Sequence, residues 1–163
     1  MGWARPTPFS NTEAALARKL TYEFKLTVEP ARHHHLDAMG EISKVSAPKW
    51  YKKSYLKGAI RQKRALVALV GRIPGGFLIW NRDFYGYYFI DLIVVHPEVR
   101  RRGAARAMIE WMEKKVAGNK LFTSTNRSNV RMQKLLKAMR YKRVGWISNV
   151  DRGDPEWIYY KKA

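Results

Sequence analysis

The 163-residue chain predicts an α/β (α+β) fold in which a mixed sheet carries helices on both faces. Three observations lead there. Runs with a period of two are interleaved with segments of helical period. The longest strand signal, YYFIDLIVV (87–95), leads straight into a helical pattern, and two strand-like segments around DRGDP read as a closing hairpin.

Residues 1–20 read as a loosely attached N-terminal arm, and 21–163 as a single domain. Tyr22, Phe24, Leu26 and Val28 alternate with Glu23, Lys25 and Thr27, the pattern of a half-buried strand that Pro30 ends. Leu36, Met39 and Ile42 set a helix over 32–44, Pro48 opens a second one reaching Lys63, and ALVALV (65–70) reads as a buried strand. RIPGG is expected to be a turn into the strand FLIWNR, and DFYG a second turn. Beyond YYFIDLIVV, residues Ala105, Met108, Ile109, Met112 and Val116 recur at helical spacing until Gly118 and Asn119 stop them. LFTST (121–125) is a strand and 126–139 a helix with Met132, Leu135, Leu136 and Met139 inward. YKRVGWISNV (141–150) and EWIYYKK (156–162) are the hairpin strands.

An apolar content of 46%, with 13% aromatic residues, excludes a disordered chain. The absence of cysteine excludes disulfides and thiolate metal sites. No apolar run is long enough to span a bilayer, the first 20 residues lack a signal-peptide apolar block, and Pro6 stands where myristoylation wants Ser or Thr. The expectation is a cytoplasmic protein, monomer or homodimer, with no membrane partner.

The net charge of +19 marks a strongly basic protein that attracts anions over a Debye length of roughly 8–10 Å. Lys49–Arg64 carries seven bases and no acid, as does Arg127–Arg143. Either segment reads as a solvated helix face, and Lys49–Arg64 reads equally as contact for a polyanion such as tRNA or a ribosomal particle.

The stretch VHPEVRRRGAARAMI (95–109) places Arg100, Arg101 and Arg102 where a helix begins, at the positive end of its dipole. Each such cation costs a few tenths to about 1 kcal/mol unless an anion neutralises it. Gly103 permits close backbone approach, and Ala104 and Ala105 keep side chains out of the way. The cluster predicts a phosphate or pyrophosphate bound to backbone N–H groups, the other reading being three solvated arginines on a loop. GxxxxGK[ST] is absent, as is GxGxxG with a following acid, so neither nucleotide-binding signature applies.

These residues resemble the acyl-CoA-binding motif of the GNAT N-acetyltransferase superfamily, Q or R, two residues, Gly, one residue, then Gly or Ala. Arg100, Gly103 and Ala105 fill it, preceded by Val95, His96 and Pro97. STNRSNVRMQKLLKAMRYKRVG resembles the family's next block, with Asn129 at the asparagine that contacts coenzyme A. The resemblance covers 22–162. It implies a mostly antiparallel mixed sheet of about seven strands and acetyl-CoA as cosubstrate, with no metal. Main-chain groups of Ile93, Val94 and Val95 would hold the pantetheine arm, and amides of Arg101, Arg102, Gly103, Ala104, Ala105 and Arg106 the pyrophosphate. The implied reaction is direct attack of a primary amine of a small molecule or peptide on acetyl-CoA. The alternatives are an RNA-linked amine such as aminoacyl-tRNA, and a non-enzymatic RNA-binding module on the same fold.

The chain departs from the family at two places: Leu136 stands where many members have a tyrosine proton donor, and Ser124 where ribosomal-protein acetyltransferases have a glutamate. The remaining catalytic candidates are Asp91, Ser124 and Tyr159. Asp91 lies in an apolar run where an ionised carboxylate is expensive unless paired. Ser124 at a strand end could orient a water, and Tyr159 could donate near the sulfur; Tyr141 reads as a core aromatic and His96 as a solvated imidazole. His33, His34 and His35 point about 100° apart on a helix and do not converge on a metal. Asp151, Asp154 and Glu156 read either as turn formers or as contacts for a cationic substrate.

Overall fold

A computed structural model describes residues 25–47 and 52–163. The expected arm, the start of the first strand at Tyr22 and Phe24, and Pro48 lie outside the described residues. The elements are β1 (Leu26–Pro30), α1 (Leu36–Ser46) behind a 3₁₀ turn at His33–His35, α2 (Lys53–Arg61), β2 (Ala65–Val70), β3 (Ile73–Phe84) and β4 (Tyr87–Val95). A 3₁₀ turn at Pro97–Val99 precedes α3 (Ala104–Lys115), and β5 (Lys120–Asn126), α4 (Val130–Ala138), β6 (Lys142–Asp151) and β7 (Asp154–Lys162) complete the chain. The strands form a seven-stranded sheet in the order β1-β2-β3-β4-β5-β7-β6, mostly antiparallel, with helices on both faces and β4 and β5 parallel.

Contacts group the chain into two compact units, one reaching Ile79 and including Leu92–Ile109, the other holding Trp80–Asp91 and Glu110–Ala163. In the first, Leu36, Met39 and Ile42 of α1 and Leu56 and Ala59 of α2 pack on Ala65 and Val67 of β2 and Phe77 and Ile79 of β3. This is why ALVALV has no polar alternation: five of its six residues are buried.

All of RIPGG but Arg72 is strand, not the expected turn. Ile73 pairs with Val70 and Pro74 with Leu69, so the reversal is confined to Gly71 and Arg72. A bulge at Ala68/Leu69 accommodates the proline. The glycines serve close packing: a Cβ on Gly75 would lie 2.9 Å from a Val99 methyl, and one on Gly76 2.9 Å from the Val94 carbonyl oxygen. Among the described residues no helix is long and apolar enough to cross a membrane.

In the second unit β5 pairs with β4 only over Tyr88–Ile90, opposite Leu121–Thr123, while β4 continues to Val95. The buried Thr123 hydroxyl donates to the Ile90 carbonyl at 3.1 Å, closing that ladder with a side chain. Leu121, Thr123, Thr125 and Tyr159 are buried on one side of the β5–β7 pair. The intervening residues are partly exposed.

Candidate active site

The arginine segment is a turn, and α3 begins one residue past it. Arg101 (φ 65°) and Gly103 (φ 84°) both take the left-handed conformation around Arg102. A side chain at Gly103 would be strained, and the space a Cβ would fill there has no atom within 4 Å. The first intrahelical bond of α3 runs from Ala107 N–H to Gly103 O at 2.8 Å, so the amides of Ala104, Ala105 and Arg106 precede the ladder. Arg100, Arg101 and Arg102 are exposed beside them. The turn thus combines backbone donors, the helix dipole and cations at one open point, as a pyrophosphate requires.

The turn is tied to the end of β4. Arg100 Nε and Ser46 Oγ each donate to the Val95 carbonyl at 3.2 Å, which fills both of its lone pairs. His96 N–H donates to Gly75 O at 2.9 Å.

The C-terminal end of β5 is clamped to the β6–β7 hairpin. Asn126 Nδ2 donates to Asp151 at 3.1 Å; Ser128 donates to Asp154 through its N–H at 3.0 Å and its hydroxyl at 2.5 Å. Arg127 N–H donates to Pro155 O at 2.9 Å. The Ser128 hydroxyl holds the Asp154 carboxyl below the usual range. Glu156, opposite Asn126 in the register, differs: burial pushes its carboxyl up, a hydrogen bond with the Ser124 hydroxyl pulls it back, and Asp151 and Asp154 push it further up.

A profile of the acetyltransferase (GNAT) family matches residues 37–141. The chain belongs to that family. A GNAT-family acetyltransferase from Bacillus cereus is 33% identical, with 85% of this chain and 97% of that one covered at a TM-score of 0.78. Two further structures share the fold. NAA60 of Arabidopsis thaliana, solved with a bisubstrate analogue, is 13% identical with 84% and 97% covered at a TM-score of 0.73. The ribosomal-protein alanine N-acetyltransferase of Escherichia coli is 16% identical with 83% and 92% covered at 0.71. No curated protein matches. The chain is accordingly an acetyl-CoA-dependent acetyltransferase.

Of the expected site residues, Asp91, Tyr159 and His96 sit otherwise in the acetyltransferase than the sequence suggests, while Leu136 and Tyr141 are buried as expected. Asp91 is exposed rather than desolvated, standing just past the last β4–β5 pair. Tyr159 is buried opposite Thr123, so successive side chains place it across the sheet from Ser124, and burial raises its phenol against a smaller opposing effect of Arg143. His96 is 2% exposed, not solvated: its Nδ1 caps the following turn by accepting from Glu98 N–H at 3.3 Å, and burial lowers its pKa. Asn129 is the N-cap of α4, its Oδ1 accepting from Met132 N–H at 3.2 Å. Leu136 and Tyr141 are both buried, and burial raises the Tyr141 phenol, with Glu113 adding to it. Lys53 pairs with Asp37 at 2.9 Å, so the basic stretch 49–64 is not wholly uncompensated. Among the described residues no group of three His, Asp or Glu is placed to hold a metal, and the His33–His35 turn instead buries His35. Sequence reasoning read Glu156 only as a turn former or a substrate contact and missed its partly buried setting, whose signal was an acid two residues past a hairpin turn, opposite a strand carrying Ser124 and Asn126.

Proposed function

We propose that the acetyltransferase acts in the cytoplasm on a primary amine of a small molecule or peptide, with Glu156 as proton acceptor through Ser124. The observation that carries this reading is the partly buried Glu156 carboxyl on the same sheet face as Ser124, while its neighbours Asp151 and Asp154 are engaged with Asn126 and Ser128. An amine is protonated at neutral pH and must lose a proton before it attacks. A carboxylate made more basic by burial is suited to take it.

Acetyl-CoA supplies the activated acyl group. The amides of Arg101, Arg102, Gly103, Ala104, Ala105 and Arg106 bind its pyrophosphate with help from the Arg100 side chain, and Asn129 contacts the same cosubstrate. Main-chain groups of Ile93, Val94 and Val95 hold the pantetheine arm, Val95 through its N–H because its carbonyl is taken. With Leu136 buried at the expected tyrosine position and Tyr159 facing away from Ser124, the leaving thiolate takes its proton from solvent. Asp91, exposed, serves as a contact for the incoming ammonium rather than as the base.

An amine carried on RNA is the second reading, favoured by exposed Lys52, Lys57 and Arg61 on and beside α2. Thiol release from acetyl-CoA, measured with free amines, peptides and aminoacyl-tRNA at low and high salt, separates the two. A salt-insensitive preference for free amines or peptides is the expected result. Turnover confined to aminoacyl-tRNA and abolished by salt would replace the first reading with the second, and no thiol release with any amine would overturn both.

A further inference from the structure

The second unit has one covered sheet face and one open one. Registers across β4, β5, β7 and β6 place Tyr88, Leu121, Thr123 and Tyr159 on the covered side. The open side carries Phe89 of β4, Phe122 of β5 and Tyr160 of β7, all partly exposed. Their rings form a continuous row with Phe84 and Tyr87. Phe122 lies 5.2 Å from Tyr160, 5.5 Å from Tyr87 and 5.2 Å from Phe84, which is 5.0 Å from Phe89. Tyr87 is 41% exposed, against 0% for Leu121 and 2% for Thr123 on the other side.

Cations stand at one end of this row. Lys120 is directly opposite Lys162, and Lys142 opposite Tyr160, so all three lysines share the open face. All three are exposed, and the Lys120 ammonium lies 5.0 Å from the Tyr87 ring centroid. Like charges directly across a ladder destabilise it. A polyanion lying over the pair would reverse that cost.

We propose that this open face docks single-stranded nucleic acid, with bases stacked on the Phe122–Tyr160 row and phosphates on Lys120, Lys142 and Lys162. The chemistry selects this occupant. Aromatic rings on a sheet face stack unpaired bases without regard to sequence, and lysines at the rim neutralise the backbone. A duplex keeps its base faces hidden. Glu156 lies on the same face at the far end of β7 and repels phosphate, which confines the strand to the lysine end. The proposal does not depend on which amine is acetylated.

Fluorescence anisotropy with a labelled oligouridine tests it, using Phe122→Leu and Tyr160→Leu, which keep apolar bulk and remove the ring. At salt high enough to suppress charge-only binding, each variant should lose about fivefold or more in affinity. Lys120→Gln should weaken binding chiefly at low salt. Retention of the acetyl-CoA-induced rise in Tm shows that each variant is folded. Unchanged affinity in both ring variants, or equal affinity for duplex RNA, would overturn the proposal. So would sedimentation of the wild type as a dimer that Phe122→Leu dissociates, since the face would then join two copies.

Discussion

Two turns of this acetyltransferase, 99–103 and 151–156, are built from opposite materials. The first collects arginines and leaves backbone N–H groups ahead of a helix; left-handed Arg101 and Gly103 shape it, with no carboxylate among residues 99–103. The second gathers three of the chain's 13 acids into six residues of a protein of net charge +19. Its left-handed glycine, Gly153 (φ 74°), closes the hairpin. The first turn presents its charges outward; the second spends two carboxylates on holding β5 and leaves the third partly desolvated. In the function proposed above, the first turn binds an anion and the second handles a proton. A cationic turn would depress the pKa of any carboxylate placed within it and so spoil it as a base.

The largest effect that sharpens this comparison is expected for Glu156→Gln. kcat should fall about 100-fold or more with KM for acetyl-CoA unchanged, and the rising limb of the pH–rate profile should disappear. A purely structural role would leave the shape of that profile intact. The stability sign runs the other way from activity. Because the folded pKa of Glu156 is raised, its contribution is present below the unfolded pKa and lost as pH rises through the folded one. At neutral pH the Gln variant should therefore melt no lower than the wild type.

A smaller effect is expected for Asp154→Asn, which weakens the clamp on Ser128. The folded pKa of Asp154 is depressed, so its contribution is present above the unfolded pKa and lost as pH falls through the folded one. The variant should have a slightly lower Tm at neutral pH, and thermal melts down the acid range should show the gap closing. A gap that persists at the acid end would mean that the clamp does not depend on charge.

Periodicity made the strands and helices legible wherever one face is covered: β4, β5 and α3 follow the pattern of their apolar residues. Legibility failed where tertiary packing overrode local signals. RIPGG looks like a turn because proline and glycine usually break strands, yet Gly75 and Gly76 are required by Val99 and Val94 pressing against them. Asp91 looks buried because its neighbours are apolar, but its own side chain stands where the β4–β5 ladder has ended. His96 looks solvated beside a proline, and is buried as a cap instead. The arginine turn was readable because its residues lie within one contiguous segment. Glu156 was not, since its environment is assembled from Ser124 and Asn126 of another strand.

The division between the two turns is tested most directly by isothermal titration of acetyl-CoA into Gly103→Glu and Glu156→Gln side by side. Gly103→Glu forces a side chain and a negative charge into a left-handed position in front of the α3 amides, and should abolish measurable binding. Glu156→Gln should bind acetyl-CoA with the wild-type Kd while remaining deficient in turnover. Wild-type affinity in Gly103→Glu, or an affinity loss in Glu156→Gln as large as its loss of turnover, would contradict the account.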